Sequence, residues 1–256
     1  AAPRRIVSIN ACADQLILAL ADREQILALT HYARDPDMSF YADRAEGLPT
    51  IRGDAEEVLK LKPDLVLAGS FTRSATRAQL AAQSIRIVTF SPARSIEDVK
   101  KHIREVASLV GQETRGDTLV AEIDAAFANL RPSSRPLRAL QLQRRAFAAG
   151  TDTLIHDIMQ RLGIVNAATD LGIRYVGRTS LEAVLKAKPD VLILDSADPG
   201  AVDQGVALLS HPALEEVVPR HRRIVIPSSQ IVCASPGIAL AARTLRDAAE
   251  RILDEK

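Results

Sequence analysis

Polar and cationic side chains gather just beyond several apolar runs, and their chemistry is that of anion capture. Asn10 and Cys12 follow the run 6–9, Tyr32 follows 26–29, and Ser70, Phe71 and Arg73 follow 65–67. In the second half Gln143, Arg144 and Arg145 follow 137–142, Asp195 follows 191–194, and residues 228–233 follow 223–226. Arg174 and Tyr175 stand in a loop-rich stretch. Arginines from both halves at one mouth would hold a carboxylate or phosphate group through forked, charge-assisted hydrogen bonds. Residues in such places also serve as helix caps or solvated loop positions, and some of this set are expected to do so.

Cys12 and Cys233 admit three readings: buried inert thiols, an interlobe disulfide, or a sulfur contact to a metal or ligand. A disulfide needs Cα atoms within about 7 Å, and the spacing carries no zinc-site signature. Of the five histidines, His31 alone adjoins a strand end with an aromatic neighbour, which makes it the candidate metal contact. His102 and His156 fall in helical stretches and read as surface or satisfied core residues. The twelve glycines form neither GxGxxG nor GxxxxGK[ST], and no GxSxG is present. Phosphate loops and nucleophile elbows are therefore absent from the motifs, and no residue is assigned a catalytic role.

The elements that would position these groups come from a duplication. Residues 53–70, GDAEEVLKLKPDLVLAGS, recur 126 positions later as TSLEAVLKAKPDVLILDS, identical at eight of eighteen positions. About one match is expected by chance. Each copy reads as a short amphipathic helix, a Lys-Pro-Asp corner and a buried strand. Glu56 and Glu182 occupy equivalent places at the start of the two helices, where a carboxylate favours the helix dipole. Strands alternating with helices imply two doubly wound lobes with parallel sheets, and ligands of such lobes lie beyond the carboxyl ends of the strands. A cleft between two lobes is the natural ligand seat.

Ser95 begins a capping box and opens a first mid-chain helix, to residue 109; a second runs over 114–130. The latter's apolar stripe has helical spacing, and its seventeen residues span about 25 Å. The predicted division is an N-terminal lobe over 1–94, a helical segment with the connector over 95–131, and a C-terminal lobe over 132–256. The formal net charge of +1 gives no sign of a nucleic-acid partner. No apolar run is long enough to span a bilayer, so the chain is expected not to be membrane-inserted. With no Trp and 3% aromatic residues, a pocket made mainly of stacked rings is not expected.

RIVSINACADQLILAL (5–20), LKPDLVLAG (61–69), the mid-chain helix and KPDVLIL (188–194) together resemble the periplasmic binding proteins of the helical-backbone class. Those proteins serve ABC importers of metal chelates, and the likeness covers essentially the whole chain in order. It implies two Rossmann-like lobes joined by a long rigid helix, closing only modestly on ligand. It further implies a monomer that hands its cargo to the transmembrane dimer of an ABC permease, with no intrinsic cofactor. The cargo would be an iron complex such as a ferric siderophore or haem, or else cobalamin; the arginines favour iron. Haem would want an axial Tyr or His, for which Tyr32, Tyr41, Tyr175 and His31 are the candidates. Glu56 and Glu182 match the glutamate on each lobe with which the family docks onto its permease. The resemblance also implies a periplasmic location, which the small residues at the start would suit as a mature end. No lipobox-type Cys stands at position 1, so a freely soluble binder is expected. An enzyme using the interlobe cleft of the same architecture is the alternative. A third reading is a sensor whose cleft serves only regulation.

Overall fold

The computed structural model describes residues 2–196 and 204–255, which fall into two compact units. Unit 1 takes the chain up to Ala93, then Glu97–Asp124 and Val232–Gly237; unit 2 takes Arg94–Ile96, Ala125–Ile231 and the residues from Ile238 on.

Unit 1 contains β1 (Ile6–Ser8), α1 (Ala11–Leu20), β2 (Ile26–Thr30), β3 (Thr50–Ile51), α2 (Ala55–Leu61), β4 (Leu65–Gly69), α3 (Ser74–Ala82) and β5 (Ile87–Phe90). Its sheet runs β3-β2-β1-β4-β5, and every neighbouring pair is parallel. β1 and β4 are buried throughout, as a sheet covered on both faces requires. All but the first residue of α4 (Ile96–Val110), and α5 (Glu113–Ala128) as far as Asp124, group with this unit. Most of the helical segment expected over 95–131 thus groups with unit 1, and the division between the two units falls inside α5. Burial explains this: Val99, Ile103, Val106 and Val110 are at most 1% exposed. Arg115 of α5 donates to the Leu20 carbonyl and pairs with Asp22, both at 2.6–2.9 Å.

Unit 2 contains β6 (Leu137–Gln143), β7 (Phe147–Ala149), α6 (Leu154–Arg161), β8 (Ile164–Asn166), β9 (Val176–Arg178), α7 (Leu181–Ala187), β10 (Val191–Leu194), α8 (Gln204–Leu209), α9 (Pro212–Val217), β11 (Arg223–Val225), α10 (Ser228–Ile231) and, from Ile238, α11 (Gly237–Asp254). β8, β6, β10 and β11 are mutually parallel and repeat the order of β2, β1, β4 and β5. The likeness extends to register, Ile6 pairing with Leu65 as Ala139 does with Val191. The sheet is not wholly parallel, however. β7 runs antiparallel to the end of β6, and β9 runs antiparallel to β7. Arg145 and Ala146 reverse the chain there at φ of 59° and 60°. Neither is the Gly or Asn that announces a left-handed turn, so the stretch reads as loop in the sequence.

The Lys-Pro-Asp corners prove to be fasteners. Lys62 and Lys188 end α2 and α7 at φ of 49° and 47°, because the following proline disfavours another helical residue. The aspartates then clamp the neighbouring strand. Asp64 accepts from the amides of Arg4 and Arg5 at 2.8 and 3.0 Å, and Asp190 from that of Arg138 at 2.9 Å. The same arginines reach back, Arg5 to the carbonyls of Leu61 and Lys62 and Arg138 to that of Ala187, which closes the helix ends. Asp64→Ala and Asp190→Ala should each cost about 1.5–3 kcal/mol in urea unfolding, the scale of hydrogen bonds to a charged acceptor.

Candidate functional site

In unit 1 the strand order reverses between β1 and β4, so the carboxyl ends of these strands form the switch point at which such sheets bind ligands. Asn10 caps α1 there, its Oδ1 accepting from the amides of Cys12 and Ala13 at 3.0 Å each. Its side chain lies across Gly69, where an added Cβ would stand 2.3 Å from Asn10 Nδ2. Only glycine fits under it. Asn10 is thus committed to structure at its oxygen.

Cys12, in the first turn of α1, is bonded to Cys233, with Cα atoms 5.0 Å apart. Of the three readings the disulfide is the observed one, but both cysteines group with unit 1 and not with opposite lobes, and neither sulfur is a thiolate for a metal or ligand. Tyr32 is 43% exposed beyond β2, its ring 3.9 Å from that of exposed His31. Phe71 stands 80% exposed beyond β4. Between these strand ends and α3, Ser70 is half-buried with its amide on the Phe90 carbonyl, and exposed Arg73 precedes the helix.

The edge of unit 1 rests on a buried carboxyl that sequence reasoning passed over. Asp14 of α1 is fully buried and accepts from the Thr30 amide at 3.1 Å and the Thr30 hydroxyl at 2.5 Å. Burial pushes its pKa up to about 7, against the lowering effect of hydrogen bonds from Ser8 and Thr30. Gln15 beside it is also buried, donating to the Met38 carbonyl and accepting from the Phe40 amide. Two polar residues inside an apolar helix pattern were the available signal. Tyr41 is only 7% exposed, and burial pushes its phenol up to about 12; it is no candidate for an axial ligand.

In unit 2, Gln143 ends β6 half-buried, and Arg145 stands exposed in the turn that follows. The side chain of Arg144 lies outside the described residues. Asp195 follows β10, half-buried. Arg174 and Tyr175 are exposed but do not lie level with Gln143. Gln143 pairs with Phe147, and Phe147 with Arg178, so Arg178 is the residue that β9 brings to that level. Tyr175 enters at the far end of β9. Its loop is pinned by amides of Gly150 and Asp152 on the carbonyls of Tyr175 and Arg174, at 2.6 and 2.5 Å. An added Cβ at Gly150 would meet the Ile173 carbonyl oxygen at 2.2 Å. Arg94 lies over the Tyr175 ring at 5.2 Å and pairs with Asp152.

Glu56 and Glu182 both occupy the second position of their helices, after the caps Asp54 and Ser180. Glu56 is 80% exposed and pairs with Lys60 at 2.8 Å; Glu182 is exposed. His102 and His156 are half-buried, and burial lowers the pKa of each. Among the described residues no three His, Cys, Asp or Glu side chains converge as a metal site, and no helix is long and apolar enough to cross a membrane.

The two α/β units have corresponding strand orders, with polar residues beyond the central strands of both and exposed aromatic rings beyond β2 and β4 of unit 1. The periplasmic binding protein family matches residues 6–223, and the chain belongs to it. A cobalamin-binding protein of Halobacterium salinarum is 27% identical over 198 residues, covering 75% of this chain and 53% of that one. The chain thus spans about half the length of that relative. A vitamin B12-binding protein of Pectobacterium carotovorum is 25% identical over 205 residues, 76% of this chain and 72% of its own. Among solved structures, the periplasmic heme-binding protein RhuT of Roseiflexus sp. RS-1 superimposes with a TM-score of 0.75 at 25% identity, covering 97% and 98% of the two chains. These are binding proteins, and the enzyme alternative is set aside with them.

Proposed function

We propose that the chain is the periplasmic solute-binding component of an ABC importer, carrying a metal chelate to its permease. The observation that carries this reading is the pairing of exposed aromatic rings with arginine at the edge of unit 1. The chain has eight Phe and Tyr residues and no Trp, yet Tyr32 and Phe71 stand exposed at the ends of strands flanking β1. Exposed rings there suit an apolar ligand face, and Arg73 suits an anionic group on its rim. Within unit 2 taken by itself, Gln143, Arg145, Arg178 and Asp195 are the candidate ligand contacts at strand ends, with Arg174 and Tyr175 in the loop before β9. Haem, a ferric siderophore and cobalamin are the chelates of matching chemistry, and exposed His31 and Tyr32 are the candidate donors of unit 1 to a metal centre. Titrating the protein with haem, cobalamin and ferric hydroxamates, followed by absorbance and Tyr fluorescence, tests the reading. Submicromolar binding of one of them is expected, and no binding of any would overturn it.

The equivalent placement of Glu56 and Glu182 supports permease docking. Two carboxylates on matching helices suit a partner with two-fold symmetry, and such exposed charges mainly set orientation and association rate. Reversing both, as E56R/E182R, should lower binding-protein-stimulated ATPase activity of the reconstituted permease at least tenfold, with the chelate Kd unchanged. Full stimulation by the double variant would remove the docking role.

A further inference from the structure

We propose that the strap Val232–Gly237 belongs to the ligand surface of unit 1, and that the Cys12–Cys233 disulfide is the device that positions it. This rests on the reading of the unit 1 edge as a ligand surface.

The chain path is unusual. α10 ends at Ile231 and α11 runs on from Ile238, both in unit 2, yet the six residues between them group with unit 1. The strap contributes no strand to the sheet of that unit, so ladder hydrogen bonds do not hold it. A covalent bond does, beside the burial of Ala234 and Ser235. Cys12 lies just past the end of β1, and a Cα separation of 5.0 Å places Cys233 over the same end.

β1 lies between β2 and β4 in the sheet, each about 4.8 Å away. β2 leads into Tyr32 and β4 into Phe71, so the strap sits over the middle of a row whose flanks carry those two exposed rings. Burial along the strap is graded. Cys233, Ala234 and Ser235 are 2%, 3% and 1% exposed, whereas Val232 is 42% exposed. Three residues are the anchor, and Val232 is the apolar side chain left at the surface. Tyr32, Val232 and Phe71 are thus the exposed apolar side chains that follow β2, open the strap and follow β4, a set matched to a ligand that offers an apolar face.

The test uses the full chain and whichever of haem, cobalamin or ferric hydroxamate the wild type binds. Val232→Asp, with the disulfide intact, should weaken that Kd at least tenfold. C12A/C233A, assayed at a temperature where circular dichroism shows it folded, should weaken it at least fivefold. Val165→Asp, at an exposed valine of β8, serves as the surface control. An unchanged Kd in either strap variant overturns the proposal while leaving the chelate reading intact. Failure of the wild type to bind any of the three probes overturns the chelate reading itself, and the strap's role with it.

Discussion

Reducing the Cys12–Cys233 disulfide lowers the stability of the protein by about 5 kcal/mol and its melting temperature by roughly 10–20 °C. The magnitude follows from the loop. The bridged residues are 221 positions apart, and the loop-closure entropy removed from the unfolded chain grows with the logarithm of that length. Cys233 is also buried, so the bridge needs no exposed conformation to persist. Thermal melts with and without a thiol reductant check this. C12A/C233A should melt near the reduced wild type and ignore the reductant. Coincident melts of oxidised and reduced wild type would show that the strap holds unit 1 without its covalent link. A bridge of this kind survives in an oxidising compartment, in keeping with the periplasmic location proposed above.

Stability should fall by about 4 kcal/mol between pH 4 and pH 7 on account of Asp14 alone. Its carboxyl titrates near 4 in the unfolded chain and near 7 when folded. Between those values the folded state binds the extra proton, so raising the pH disfavours folding by up to about 1.4 kcal/mol per unit. Below pH 4 both states are protonated and the contribution is complete; above pH 7 it is lost. Desolvation is the cause, since the group is fully buried, and hydrogen bonds from Ser8 and Thr30 offset it only in part. Asp14→Asn keeps an acceptor for the Thr30 amide and never ionises. Urea midpoints across pH 4–8 should therefore be flatter for the variant, and it should exceed wild type at pH 8. Parallel profiles for the two proteins would refute the assignment. Because Thr30 leads directly into His31 and Tyr32, this carboxyl also holds the end of β2 from which those residues project.

Much of this could be read from residue order. The copied segment, with Glu56 and Glu182 at matching helix starts, announced two similar α/β halves, and Pro63 and Pro189 marked where helix must give way to strand. Tyr32 and Phe71 were legible as strand-end residues because apolar runs stop just before them. Asn10 was legible only by position: its commitment as a helix cap depends on Gly69, fifty-nine residues later, offering an empty space beneath it. Arg178 was missed because β9 is placed by its pairing with β7, and β7 follows β6 through Arg145 and Ala146, residues with no turn signature. The mid-chain helices were found, but which body they join is a question of buried side chains and long-range carbonyl contacts rather than of periodicity.

The sequence by itself determined the repeated helix–corner–strand unit, the α/β class and the family likeness, because periodicity, proline and caps act within a few residues of one another. Tertiary structure alone decided that Cys12 meets Cys233, that Asp14 is sealed from water and that a short strap from the second half belongs to the first. Those outcomes depend on which distant segments share a volume, and no local spacing encodes that.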